Sequence, residues 1–309
     1  MRLSITMPLL NEEGIVPELV RRVGAVLDAI PGGPHELLVI DDGSTDDTRA
    51  LLVDAAATDP RIRCLFLSRN FGHQAAITAG IDHVTGDLIV VMDGDLQDRP
   101  EDIPAMLARQ AEGYDVVYAI RTLRKEGIVL RACYFLFYRT MARFAKVRVP
   151  LDAGDFALMT RRVLDTIRSA PERNRYVRGL RAWAGFRQIG LPVERDSRVA
   201  GTSKYSYAAL VRLGLDGLFA FSTIPIRAAM FLGLGAVGVA CLYAAWAVFQ
   251  KLVLQHSPQG FTGIIVVVTF LSGVNLFFLG VIGEYVGRVY EEVKARPMYV
   301  VERVIGQSH

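Results

Sequence analysis

The sequence predicts an α/β domain built on a mostly parallel sheet, followed by a hairpin of two membrane-spanning helices. Three observations carry that expectation. Short apolar runs alternate with amphipathic stretches from the first residues to about position 225, the pattern of strands each followed by a helix. Beyond that point lie two long runs without a charged residue. The mean hydropathy of +0.29 is also too high for a wholly soluble chain, while 22% charged residues are too many for a wholly embedded one.

Taken in order, Leu3–Met7, Leu37–Ile40, Cys64–Leu67, Leu88–Met92 and Val116–Ala119 are the expected strands. They are continuously apolar, as strands covered on both faces are. Between them Glu13–Ile30, Asp46–Ala57, His73–His83 and Ile103–Glu112 have helical spacing. Asp42-Gly43-Ser44-Thr45-Asp46 forms a turn and helix N-cap after the second strand. No GxGxxG follows the first strand and no GxxxxGK[ST] occurs anywhere, which argues against dinucleotide and P-loop sites. Cys64, Cys133 and Cys241 lie far apart without CxxC spacing, excluding a disulfide framework and suiting a reducing compartment. A net charge of +3 gives no reason to expect a nucleic-acid partner.

Ala228–Phe249 and Gly260–Gly283 supply 22 and 24 residues without a charge, each enough to cross a bilayer core. Gln250–Gln259, with Ser257-Pro258 as breaker, is the expected turn between them. Arg212 and Arg227 precede the spans, and Arg288, Lys294, Arg296 and Arg303 follow, against the single Lys251 in the turn. The positive-inside rule then puts both ends in the cytoplasm. The domains expected are a cytoplasmic unit over 1–225, the spans within 226–287 and a cytoplasmic tail over 288–309.

In a parallel sheet, ligands bind beyond the carboxyl ends of the strands. Two such ends carry paired acids: Asp41-Asp42, and Asp93-Gly94-Asp95 with Gln97 close behind. Carboxylates one residue apart in an extended turn can face one hard cation, and the glycine lets the backbone approach a ligand. Mg²⁺ or Mn²⁺ bridging to a nucleoside diphosphate is the expected occupant; a solvated helix-capping turn is the alternative. Between Arg121 and Arg148 eight basic residues face one acid, Glu126, with Tyr134, Phe135, Phe137, Tyr138 and Phe144 interleaved. That composition suits a helix at the lipid surface. Ser206–Phe221 has the pattern of a second one. The loop Arg198-Val199-Ala200-Gly201-Thr202-Ser203-Lys204-Tyr205 has residues small enough to close on a phosphate. A metal for one diphosphate and cations for another phosphate near lipid imply transfer from a soluble nucleotide donor to a lipid phosphate.

Six motifs in order then mark a resemblance: Pro8-Leu9-Leu10-Asn11-Glu12-Glu13, Asp41-Asp42-Gly43-Ser44, Arg69-Asn70-Phe71-Gly72, Asp93-Gly94-Asp95-Leu96-Gln97-Asp98, Asp152-Ala153-Gly154-Asp155-Phe156, and the Arg198–Tyr205 loop. With Gly283-Glu284-Tyr285-Val286-Gly287-Arg288 and Arg296-Pro297-Met298-Tyr299 behind the spans, the chain resembles the polyprenyl-phosphate glycosyltransferases of glycosyltransferase family 2. It looks most similar to the bactoprenol glucosyl transferases, with the dolichol-phosphate mannose synthases as further kin. The resemblance covers nearly the whole chain. It departs at Leu10, where an aromatic is common, at Arg99, where many members have Pro, and at Phe135, where mannose synthases tend to have Ser.

The resemblance implies a Rossmann-like glycosyltransferase A-type fold and an inverting transfer of a hexose, glucose first, from a UDP-sugar to undecaprenyl or another polyprenyl phosphate. Mannose, an aminoarabinose derivative and an N-acetylhexosamine remain alternatives, and a non-catalytic subunit of a lipid-sugar flippase is the alternative of another class. By position, Pro8, Leu10, Glu12 and Asp41 should hold the nucleoside, and Asp93, Gly94 and Asp95 the diphosphate. Metal ligands would be Asp93, Asp95 and Gln97. Arg121, Arg131, Arg198 and Lys204 match the acceptor-phosphate cations, and Arg131 and Lys204 would also act in catalysis. Asp155 would orient the acceptor or its cations, with a purely structural carboxylate as the alternative. His35, His73 and His83 have no acidic or cysteine partner at useful spacing and are expected to be structural. The expected setting is a bacterial inner membrane, crossed twice, with the chain as a homotetramer whose tail pairs with a neighbouring protomer.

Overall fold

The computed structural model describes residues 1–121, 153–172, 175–194, 224–253 and 260–306. They belong to two compact units: a sheet domain that includes the segment from Arg296 onward, and a helical pair.

The sheet domain starts as expected. β1 (Leu3–Leu9), β2 (Glu36–Asp41), β3 (Ile62–Leu67), β4 (Leu88–Val91) and β5 (Val116–Arg121) coincide with the apolar runs. Between them lie α1 (Val16–Ala29), α2 (Thr48–Thr58), α3 (His73–His83) and α4 (Ile103–Ala111), the last entered through a 3-10 turn at Pro100–Asp102. Then follow β6 (Ala153–Thr160), α5 (Arg161–Ser169), α6 (Val177–Trp183) and β7 (Gln188–Val193). A last strand, β8 (Val301–Ile305), comes after the helical pair.

The eight described strands form one sheet in the order β7-β5-β6-β4-β1-β2-β3-β8. β3, β2, β1 and β4 are parallel neighbours. The sheet is more mixed than the sequence suggests, because β6 runs antiparallel to β4 and β5, and β8 antiparallel to β3. β8 is the tail expected on a neighbouring protomer; here it extends the sheet of its own chain.

Alternation along the strands makes two cores. Leu3, Ile5, Met7 and Leu9 of β1 join α1, α2 and α4 on one face. Leu38, Ile40, Leu65 and Ile89 join α3, α5 and α6 on the other. On that second face β1 presents small Ser4 and Thr6 ahead of Pro8, which lets α3 come close. A Cβ on Gly80 of α3 would fall 2.2 Å from Thr6 Oγ1. At the opposite end from the acidic turns, buried Glu36 ties the strands by accepting from Ser4 Oγ (2.5 Å), Arg63 and Thr85 Oγ1 (3.0 Å).

The helical pair consists of α7 (Ile224–Val253) and α8 (Phe261–Lys294). Both outrun the uncharged stretches that announced them, because a helix does not stop where its apolar run ends. α8 continues through Glu284 and Arg288, which pair across one turn at 2.9 Å, and stops at left-handed Ala295. Among the described residues one stretch, Phe270–Lys294, is long and apolar enough to span a membrane, and Phe231–Tyr243 is a shorter apolar one. Large apolar side chains on both helices face outward, among them Phe231, Leu242, Phe270 and Leu276.

The close approach of α3 to β1 yields a stability test. Gly80→Ala should cost about 1–3 kcal/mol, the usual size of overpacking, and Thr6→Ala in the same chain should recover most of it. Thermal unfolding of the two single variants and the double variant measures that coupling.

Candidate active site

Strand register gathers the acidic motifs. Leu9 pairs with Asp41 between β1 and β2, and Thr6 with Val91 between β1 and β4. The loop after β1, the Asp41-Asp42 pair and the Asp93-Gly94-Asp95 turn therefore meet at one edge. Across β4, antiparallel β6 sets Ala157 opposite Val91, and continuing that register by two residues sets Asp155 opposite Asp93. β5 and β7, paired as Arg121 with Val193, end at the same edge. Arg121 closes β5 there. Arg131, Arg198 and Lys204, with both expected interfacial helices, lie outside the described residues.

The loops after β1 and β2 are knitted together. Asn11 stands in the left-handed region at φ 54°; its N–H donates to Ser44 Oγ at 2.9 Å and its Oδ1 accepts from Thr45 N–H at 2.8 Å. Glu12 N–H donates to Thr48 Oγ1 at 2.9 Å, and Asp47 N–H to Glu13 Oε2 at 3.0 Å. Asp41, expected beside a nucleoside, is wholly buried and turned toward Arg49 Nε (2.7 Å) and Ser44 N–H (3.2 Å). Its carboxylate orders the loop from within. Pro8, Leu10 and Glu12 keep partial exposure on that loop.

The glycine between Asp93 and Asp95 has a steric reason. A Cβ there would lie 2.2 Å from Leu9 Cδ2 and 2.9 Å from Pro8 O, so the turn can lie on the end of β1 only without a side chain. The following Leu96 is buried with φ 56°, a strained backbone for a leucine. Asp95 Oδ1 accepts from Gln97 N–H at 3.1 Å, which closes the turn.

Beside this turn is a charge cluster that sequence patterning did not reveal. His73, the first residue of α3, puts Nε2 3.4 Å from Asp93 Oδ1 and 3.5 Å from Asp155 Oδ2. Arg178 of α6 donates from Nε and Nη2 to the two Asp155 oxygens at 2.6 and 2.7 Å. The loop ahead of His73 is held by buried Asp42, which accepts from Phe71 N–H (2.8 Å) and Gly72 N–H (2.9 Å). His73 was expected to be structural for want of an acidic partner. That expectation is corrected, because its partners come from β4 and β6 through the fold. Arg178 lies in no motif that the sequence marks out.

Electrostatics separates the two acids. Burial raises the Asp93 pKa to about 6, against the pull of His73. Burial also opposes ionisation of Asp155, but its hydrogen bonds to Arg178 and His73 prevail and hold it far below the usual carboxylate range. Burial disfavours charge on His73, yet Asp155 and Asp93 outweigh it and raise its pKa. Arg181, buried one turn beyond Arg178, is brought down to about 10 by burial. Ligand atoms of His73, Asp93 and Asp155 lie within 4.8 Å of one another, close enough for a metal ion. The residues fit a hard divalent cation. Asp93 is partly exposed, and a cation would offset the desolvation that raises its pKa, whereas both Asp155 oxygens already serve Arg178. The cluster thus lies at the end of β4 that leads into the Asp93–Gln97 turn.

Such a sheet, with an Asp-Gly-Asp turn at the end of its fourth strand, is the arrangement expected from the resemblance to glycosyltransferases. Comparison with known proteins agrees. Residues 4–168 match the profile of Glycosyl transferase family 2. The chain is 41% identical over 304 residues to YkcC, an uncharacterized glycosyltransferase of Bacillus subtilis, spanning 98% of this chain and 94% of that one. It is 36% identical over 304 residues to the bactoprenol glucosyl transferase of Shigella phage SfII, spanning 98% of each. A mannosyltransferase of Pyrobaculum calidifontis, solved with GDP-Man and Mn²⁺, shares the fold at a TM-score of 0.51 and 21% identity, over 71% of this chain and 63% of that one. The chain belongs to glycosyl transferase family 2.

The Asp155–Arg178 pair makes the sharpest prediction here. Arg178→Met leaves a buried carboxylate without its cation and should cost about 3–5 kcal/mol; adding Asp155→Asn should return part of that. Denaturant unfolding measures both. Asp155 titrates below its ordinary 3.8 when folded, so the pair contributes fully above that value and is lost as pH falls below it. An unfolding profile of wild type should decline below about pH 4 more steeply than that of the double variant.

Proposed function

We propose that the protein transfers a hexose, glucose first, from a nucleoside-diphosphate sugar to polyprenyl phosphate at the cytoplasmic face of a membrane. The observation that carries this reading is the likeness to bactoprenol glucosyl transferases across 98% of both chains, which includes the helical pair and the tail as well as the sheet domain. The outward apolar side chains of α7 and α8 support two membrane spans joined as a hairpin.

UDP-glucose is the donor we favour, with its nucleoside along the loop Pro8–Glu12 and its diphosphate at Asp93, Gly94 and Asp95. Asp93, Asp95 and Gln97 would hold Mg²⁺ or Mn²⁺; when bound, the ion neutralises the diphosphate and stabilises it as leaving group. Arg121, Arg131, Arg198 and Lys204 would take the lipid phosphate.

The acceptor needs little help to react. A phosphate monoester has its second pKa near 6, so close to neutral pH it is mostly dianionic and already nucleophilic. The strongly depressed pKa of Asp155 makes it a poor proton acceptor, and its double bond to Arg178 leaves it a positioning role. With His73 it keeps the wall opposite Asp93 fixed. The protein's main task is to hold two anionic phosphates together against repulsion. A direct displacement by the lipid phosphate inverts the anomeric carbon.

The test is transfer by purified protein from labelled UDP-glucose to undecaprenyl phosphate, with GDP-mannose and other sugar nucleotides in parallel. UDP release should depend on the lipid and match lipid-linked glucose one to one. Asp95→Asn should abolish transfer while the protein stays folded. Arg131→Ala or Lys204→Ala should depress transfer strongly with UDP affinity nearly unchanged. UDP release that ignores the lipid would overturn the reading.

A further inference from the structure

We infer that Glu302, on the tail strand, is a positioning residue for the donor site, acting through Arg49 and Asp41 on the loops that receive the nucleotide. The inference rests on the reading above that the β1 and β2 loops take the nucleoside.

The argument begins with a bulge. β8 pairs with β3 through Cys64–Ile305, Leu65–Val304 and Phe66–Arg303, but the next pair is Leu67–Val301. Glu302 is therefore the extra residue, with no partner on β3. A bulge re-aims a side chain that regular alternation would send elsewhere, and bulges concentrate beside active sites. Here the bulged Glu302 reaches Arg49 on α2, its Oε2 accepting from Nη1 at 3.0 Å.

Arg49 has its other donors committed. Nη2 donates to Leu67 O at 2.8 Å and Nε to Asp41 Oδ2 at 2.7 Å. The guanidinium thus joins the ends of β2 and β3 to the tail strand, and its planar fork lets a shift at one arm displace the others. Asp41 is wholly buried, and beyond Arg49 it accepts from Ser44 N–H. Ser44 in turn accepts from Asn11 N–H, and Thr45 N–H donates to Asn11 Oδ1. Four residues in series therefore connect the tail to the loop over Pro8–Glu12. Tyr299 gives the tail a second anchor by donating to Asp82 at 3.0 Å.

The test compares Glu302→Gln, which removes the charge and keeps the shape, with Tyr299→Phe, which weakens the tail's other anchor without touching Arg49. Each is made in the full-length protein in detergent. UDP binding is followed by calorimetry, and steady-state transfer is measured at varied donor and lipid. Glu302→Gln should weaken UDP binding and raise the donor KM about tenfold, the scale of one charge-assisted hydrogen bond. The kcat and the lipid KM should be unchanged. Arg49→Gln should show at least that loss, and adding Glu302→Gln to it should do nothing further. Tyr299→Phe should lower the unfolding temperature and leave UDP affinity intact. The inference is overturned if Glu302→Gln binds UDP like wild type, or if Tyr299→Phe loses as much affinity. Leu10→Glu, on the β1 loop itself, separates the two levels. If it too binds UDP normally, the placement of the nucleoside is wrong; if it loses UDP while Glu302→Gln does not, only the relay falls.

Discussion

Two carboxylates, Asp93 and Asp155, stand opposite each other on antiparallel neighbours, and much of the surrounding architecture serves to keep them there. Like charges across a strand pair repel. The chain meets that repulsion with two basic side chains from the same face of the sheet, His73 from α3 and Arg178 from α6. Each of them needs its own support. His73 stands where it does because Asp42 ties down the Phe71-Gly72 backbone, and α3 packs close because β1 offers small side chains beneath it. The result is one acid locked as an anion and another left with an elevated pKa.

The same economy of parts runs through the donor side. Asp41 is wholly buried, bonded to Arg49 and the Ser44 N–H. It converts a buried charge into loop geometry, with Arg49 gathering β2, β3 and the tail. In this way a strand that follows both long helices in sequence becomes part of the frame around the first loop of the chain.

What the sequence revealed and what it concealed follow from how far apart the partners are. The first five strands and four helices were legible because each is a local pattern of apolar spacing. So was the Asp93-Gly94-Asp95 turn, whose residues are contiguous. β6, β7 and β8 were not: β6 begins Ala-Gly-Asp, β7 contains Gly190 and Pro192, and β8 alternates around Glu302 and Arg303 directly after Pro297. Such interruptions blur strand periodicity. His73 was misjudged because its partners lie 20 and 82 residues on and reach it only through sheet order. Arg178 carries no local pattern that marks it. The two bonds of Asp155 to Arg178 join β6 and α6, a contact that spacing does not encode.

The proposed function asks the nucleotide and the lipid phosphate to meet at the edge where β1, β2, β4, β5 and β7 end. The central claim is that the Asp93–Gln97 turn carries the donor diphosphate through a divalent ion. Electron paramagnetic resonance of Mn²⁺ titrated into the wild-type protein, with and without UDP, tests it most directly. The account predicts one bound ion per chain with UDP present, and loss of that ion in Asp93→Asn with the fold intact. Mn²⁺ binding that is indifferent to UDP, or that survives Asp93→Asn undiminished, would contradict it.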